Sequence, residues 1–314
     1  MKCAMDKFLI CKACEAELDN FENLVSHVKK SHNLNIKNYL KKFDPKYDLL
    51  DGSLIEFKSY DQYTQTDFSN KKNLKLWFSG LSAQDKISYM SRKIKQFLSV
   101  KNSTKAPSYV ESVLINNLLS VRNIEQMCNM DFNKFCDLTK IECSYDYSIT
   151  ENDVNYFDID SIIIDTREQK PFNFKNIKLE NSKLEYGDYA AKNNHKISIE
   201  RKCYSDFIST FSSGMKRFEK ELERAKADGG YLVVVCESTL NNVLYSKYKR
   251  FGVASPHFIS HNLRKLLRYN DNIQYVFCTN RKEAESRSLQ ILKMGNIVKN
   301  IDLQYYFNYG INNR

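Results

Sequence analysis

Tyr231-Leu232-Val233-Val234-Val235 is apolar at every position and follows Gly229-Gly230. A strand of this kind must be covered on both faces. It therefore commits the C-terminal half of the chain to a sheet flanked by helices. Neighbouring segments agree. Ser161-Ile162-Ile163-Ile164 is a second buried run. Residues 184–191 and 196–201 read as strands joined at Asn193-Asn194, a turn-forming pair. Met215–Ala227 is a charged amphipathic helix that Gly229-Gly230 ends. A helix over 255–267, a strand over 273–278 and a helix over 281–293 follow. The expected fold class is α/β with a central mixed sheet, and no internal repeat is visible.

Upstream the pattern changes. Residues 1–43 hold a Cys/His cluster and an amphipathic segment over 34–43. Residues 44–73 are polar and turn-rich and read as a linker. Residues 74–150 form a helical middle domain, with Ile87, Met90, Ile94 and Phe97, then Val113, Leu114, Asn117 and Leu118, at helical spacing. A break over 101–107 divides its two helical groups. Packing between the outer domains is its expected role, with Ser91-Arg92-Lys93-Ile94-Lys95 as an alternative basic face. The α/β domain is expected over 158–296 and a tail over 297–314.

Apolar runs are too short to span a bilayer, and Lys12 and Glu15 interrupt the N-terminal one. Residues 1–14 lack the apolar core and cleavage site of a signal peptide. A soluble, intracellular protein is expected, in the cytoplasm or in the nucleus or nucleoid of a host cell. The nine cysteines are an odd number without disulfide-like spacing, so a close pair points to a metal rather than a bridge. Net charge is +10. Residues 1–157 carry 22 basic and 20 acidic side chains, and the remainder 26 and 18, so the excess sits in the C-terminal half. That asymmetry suits a polyanionic partner, as it also suits a solvated lysine-rich surface.

Chemistry concentrates at Gly187-Asp188-Tyr189 and Ile199-Glu200-Arg201-Lys202. Side chains alternate along a strand, so Glu200 and Lys202 project to one face, and Asp188 on the preceding strand can approach Glu200. Two carboxylates can hold a hard divalent cation, which polarises a phosphoryl group and acidifies a bound water. An ammonium beside them can orient that water and offset developing charge. Asp188-x11-Glu200-x-Lys202 is thus a candidate PD-(D/E)XK core.

Asp165-Thr166-Arg167-Glu168 follows the Ile162–Ile164 run. With Gly187-Asp188-Tyr189 and Glu200-Arg201-Lys202-x3-Asp206, it resembles the catalytic motifs of the XPF-type nuclease family, in order and spacing. Arg217-Phe218-Glu219-Lys220-Glu221-Leu222-Glu223-Arg224 resembles the helix after the active site in bacterial and phage members. The resemblance covers about 158–296 and implies a restriction-endonuclease-like nuclease domain. It implies that Asp188 and Glu200 ligate magnesium or manganese, with Asp165 contributing directly or through water. Lys202 would serve the attacking water, while Glu168, Arg201 and Asp206 support the ligands. Lys216 would contact DNA, and Arg217 a DNA phosphate or the site itself. Structural alternatives exist: Asp206 suits a helix cap near Phe207, and Arg167 and Arg201 suit pairing with Glu168 or Asp206. The family's tandem helix-hairpin-helix domain has no counterpart in the few residues after Gly295, so junction specificity and obligate pairing do not carry over.

Cys11-x2-Cys14-x12-His27-x4-His32 has the spacing of a Cys2His2 zinc finger, with Leu18 and Leu24 at its apolar positions. So small a unit needs zinc to fold. If it docks as DNA-reading fingers do, Asn20, Asn23 and Ser26 face the bases and Lys29 and Lys30 the phosphates. A structural or protein-binding finger is the alternative. The continuation through Tyr39 resembles the prokaryotic Ros-type finger. Together these features predict a metal-dependent DNA endonuclease of repair, recombination or a mobile, phage-like element. Its partner is DNA, with a homodimer or a protein partner left open and no membrane. A non-catalytic DNA-binding protein and a nuclease acting on RNA are the competing expectations.

Overall fold

A computed structural model describes residues 9–46, 75, 78–115, 118–245 and 256–311. The chain divides into two compact units, one of Met1–Phe97 with Asn116–Leu119 and one of Leu98–Ile115 with Ser120–Arg314. The expected linker over 44–73 falls outside the described residues apart from 44–46, as does Asn117.

In the first unit, β1 (Leu9–Ile10) pairs antiparallel with β2 (Glu17–Leu18). Helix α1 (Phe21–His32) follows, its first turn capped by Asn20, whose Oδ1 accepts from Asn23 N at 2.9 Å. It ends at Asn33 in the left-handed region. Asn35 caps α2 (Ile36–Phe43) in the same way. A small core of Cys11, Leu24, Val28, Tyr39 and Leu40 joins the two helices to the hairpin. Helix α3 (Ala83–Lys101) buries Met90 and Ile94, as its periodicity predicts.

In the second unit, α4 (Tyr109–Leu114), α5 (Val121–Cys128) and α6 (Phe132–Thr139) are short, each capped at its start by Ser108, Ser120 or Asp131. A six-stranded mixed sheet follows: β3 (Ser161–Asp165), β4 (Lys178–Ser182), β5 (Tyr189–Ala191), β6 (Asn194–Lys202), then α7 (Tyr204–Thr210), α8 (Met215–Ala227), β7 (Tyr231–Cys236), α9 (Leu240–Tyr245), α10 (Pro256–Tyr269), β8 (Ile273–Phe277) and α11 (Arg281–Met294). The strand order is β4-β3-β5-β6-β7-β8, with β3–β5–β6 antiparallel and the outer pairs parallel.

The sheet is covered on both sides, as its apolar strands require. Ile162, Ile164, Tyr189, Ile199, Val233 and Val235 meet Ala284, Ile291 and Leu292 of α11 on one face. Leu232, Val234, Cys236, Tyr275 and Phe277 meet Phe207, Phe218, Leu222 and Leu263 on the other. Besides strand β4, which the sequence pattern does not reveal, three details differ from the sequence expectation. The hairpin turns one residue earlier, and residues 184–188 are not strand. Helix α7 begins at Tyr204, with Cys203 as N-cap. Residues 298–307 are no loose extension: Val298, Ile301, Leu303, Tyr306 and Phe307 lie in the α11-side core. A short α12 (Leu303–Tyr305) also caps the β8 edge, where Gln304 Oε1 accepts from Phe277 N. No helix among the described residues is long and apolar enough to cross a membrane.

Candidate active site

The register Tyr189↔Ile199 sets Asp188 opposite Glu200 one step further along the hairpin. Asp188 N donates to Ile199 O at 2.7 Å, and its C=O accepts from Asp165 N at 2.9 Å. Tyr189 and Ile199 point into the α11-side core, so their neighbours Asp188 and Glu200 project to the opposite face. Lys202, two residues on, shares that face and bonds Glu200 Oε1. The structure thus brings two carboxylates and one ammonium together. Glu200 is 5% exposed.

These charges strain one another. Burial first, and the neighbouring charges of Asp188 and Glu221, push the Glu200 carboxyl up to about 8 against the pull of Lys202. Burial also raises Asp188 to about 6, opposed by Lys202 and the Arg201 amide. Burial acts to lower the Lys202 ammonium, but Glu200 and Asp188 more than reverse it and hold it protonated. A buried and a half-buried carboxylate that resist ionising together, with an ammonium beside them, fit a hard divalent cation.

The other motif residues take different positions. Asp165 is 2% exposed, and both its oxygens are committed. Oδ1 accepts from Arg167 N and Nε at 2.8 and 2.6 Å, and Oδ2 from Leu184 N at 2.7 Å. Arg201 points to the opposite face from Glu200 and Lys202. There its guanidinium bonds Glu168 at 3.0 and 3.2 Å and Glu237 at 2.9 Å. Glu237 also takes Arg281 at 2.6 Å, and Arg281 reaches the carbonyls of Lys170 and Pro171. Asp206 is exposed in the first turn of α7 and accepts from the Cys203 thiol at 3.0 Å. Lys216 and Arg217 are exposed in the first turn of α8.

Sequence reasoning missed Glu221, Glu237 and Arg281. Glu221 Oε1 accepts from Gly187 N at 2.9 Å. The one available signal was an acidic or basic residue at the end of a buried strand or the start of its neighbouring helix, which fits Glu237 and Arg281.

In the N-terminal unit the ligand atoms of Cys11, Cys14, His27 and His32 lie within 4.8 Å of one another, the one such group of three or more ligand-type side chains among the described residues. Cys14 Sγ is 3.2 Å from His27 Nε2 and Cys11 Sγ 3.5 Å from His32 Nε2. A tetrahedral zinc with ordinary bond lengths would separate such atoms by about 3.6 Å, so the four donors fit that ion. The Tyr39 hydroxyl donates to Cys11 Sγ at 3.6 Å and accepts from Lys12 N at 2.8 Å, clamping α2 over the cluster. Asn23, Ser26, Lys29 and Lys30 are exposed along α1, whereas the Asn20 oxygen is engaged as the helix cap.

A mixed sheet with two carboxylates and a lysine on one face of its central hairpin defines the PD-(D/E)XK class of nuclease-like domains. Residues 164–286 match the family model of the ERCC4 domain, so this part of the chain carries an ERCC4-type domain. Among solved structures, XPF from Aeropyrum pernix aligns with a TM-score of 0.34 and 16% identity, over 43% of this chain and 64% of that one. The structure described as XPF from Aeropyrum pernix in complex with DNA gives 0.32 and 17%, over 44% and 64%. The chain thus spans less than two thirds of the solved chains it matches. No curated protein matches it.

Proposed function

We propose that the chain is a magnesium- or manganese-dependent DNA endonuclease. One observation carries this: Asp188, Glu200 and Lys202 share a largely buried face of the sheet, within an ERCC4 domain. Asp188 and Glu200 hold the cation, and their resistance to ionising together favours its capture. A divalent cation bound there would polarise the scissile phosphate and make a water more acidic. Lys202, kept charged by its neighbours, orients the attacking water and offsets charge growing on the phosphate oxygens. Asp165 serves the cation through water rather than directly, its oxygens being engaged by Arg167 and the Leu184 amide; Glu168, bonded by Arg201, holds the surrounding backbone, and Asp206 supports the start of α7. Lys216 and Arg217 grip backbone phosphates, which supplies affinity rather than sequence preference.

The finger over 1–43 binds zinc through Cys11, Cys14, His27 and His32 and adds grip on DNA. Asn23 and Ser26 face the bases, with Asn20 limited by its capping role, and Lys29 and Lys30 reach phosphates. This architecture suits repair, recombination or a mobile, phage-like element. The test is incubation of the purified chain with duplex, flap, fork and single-stranded DNA and matched RNA, with magnesium or manganese. Cleavage of DNA that Asp188→Ala and Lys202→Ala each abolish supports the proposal. Salt-sensitive binding without cleavage would make it a DNA-binding protein, and cleavage confined to RNA would change its substrate.

A further inference from the structure

Helix α8 carries more than exposed cations. Glu221 lies one turn after Arg217 and is half-buried, between the buried positions Phe218 and Leu222. Its carboxylate accepts from the amide of Gly187, the residue before Asp188. Gly187 is buried and adopts φ +74. A Cβ there would stand 2.9 Å from Ser198 Cβ and 3.0 Å from Ile199 O. The backbone at 187 is thus pressed onto β6, with its N–H directed at α8. A buried amide left unpaired is costly, so Glu221 supplies a partner that this turn requires. Asp188 depends on the same turn. Its own N–H and C=O are fixed to Ile199 and Asp165, and its Oδ2 takes the Arg201 amide at 2.8 Å. Movement at Gly187 would carry the Asp188 carboxylate away from Glu200.

We infer that Glu221 is a positioning residue of the candidate active site, holding Asp188 toward Glu200 through Gly187 and linking both to the helix that bears Lys216 and Arg217. The inference rests on the nuclease proposal. Its requirement is a hydrogen-bond acceptor, not a charge: a glutamine keeps the bond to Gly187, and an alanine loses it.

The experiment compares wild type, Glu221→Gln and Glu221→Ala in three measurements: manganese binding by calorimetry, DNA cleavage, and hydrogen exchange at the Gly187 amide. Glu221→Ala should weaken manganese binding and lower kcat by about 10–100-fold, the scale typical of lost outer-shell support. KM for DNA should stay near wild type, and Gly187 should exchange faster. Glu221→Gln should restore all three readouts to near wild type. The role is overturned if Glu221→Ala binds and cuts normally, or if a folded Glu221→Gln is as impaired as an alanine variant should be. This second outcome decides the matter even if Glu221→Ala fails to fold. A wild type that neither binds manganese nor cuts removes the nuclease proposal and this role with it. A competent wild type with an unaffected Glu221→Ala removes the role alone.

Discussion

The Arg201 amide donates to Asp188 Oδ2 at 2.8 Å, while the Arg201 side chain crosses to the other face of the sheet and bonds both Glu168 and Glu237. Backbone and side chain of one residue therefore do separate work on opposite faces. The amide serves the candidate metal site. The guanidinium holds the ends of β6 and β7 to the loop after β3.

Arg201→Ala tests that division. It leaves the amide in place but takes from Glu168 the guanidinium bonded to it and leaves Glu237 with Arg281 alone; the two carboxylate side chains are 5% and 13% exposed. Removing one partner of a buried ion network typically costs about 3–5 kcal/mol. Urea unfolding should show a loss of that order. Arg201→Lys should recover less than half of it, since a point charge cannot fork across two carboxylates. Unchanged unfolding in Arg201→Ala would mean the network contributes nothing to the fold.

The parts of this architecture legible in the sequence are those that repeat a local rule. Strands β3 and β7 are continuous apolar runs, and the Cys11–His32 cluster has fixed spacing. Glu200 and Lys202 share a face because strands alternate. Strand β4 was missed because Lys178-Leu179-Glu180-Asn181-Ser182 is largely exposed at a sheet edge and shows no apolar period. Glu221, Glu237 and Arg281 were not assigned because their partners lie 34, 36 and 44 residues away. Those pairings exist only once the strand order is known. Likewise, Tyr305-Tyr306-Phe307 reads as a short aromatic end until β8 supplies the surface it covers.

Loss of metal should affect the N-terminal cluster selectively. Its core is small, with Cys11 itself among the buried residues, and cannot replace the stability four metal bonds would provide. Chelation, or Cys14→Ser, should collapse the dispersed NMR resonances of residues 9–43. Resonances of the β6–β7–β8 region should stay put. Retained dispersion in metal-free protein would show that the helices hold without an ion.

Truncation after residue 296 should unfold the sheet domain. It deletes Leu303, Tyr306 and Phe307 from the core and Gln304 from the β8 edge, and each large core side chain alone is worth about 3–5 kcal/mol. The truncated chain should be insoluble or lack a cooperative thermal transition. A soluble, cooperatively melting product would show that the last segment only decorates the core.

Asp302 makes stability depend on pH in a direction opposite to ordinary acid denaturation. It is 3% exposed and accepts from Tyr109 N at 2.6 Å, Tyr305 N at 3.0 Å and the Tyr147 hydroxyl at 3.3 Å. Burial pushes its carboxyl up to about 6, against the pull of those donors. The folded chain therefore holds a proton that the unfolded chain releases near the ordinary aspartate value. The stabilisation is complete below that value and is lost as pH rises through about 6. A shift of two pH units corresponds to about 3 kcal/mol. Asp302→Asn carries no titrating group, so any constant cost of the amide cancels when the difference between wild type and variant is compared across pH. Denaturant unfolding at pH 4.5 and pH 7 should show wild type losing about 2 kcal/mol relative to Asp302→Asn as pH rises, since part of the full effect already lies below pH 4.5. A difference that is flat, or that moves in wild type's favour, would mean the three donors keep Asp302 ionised in the folded chain and outweigh its burial.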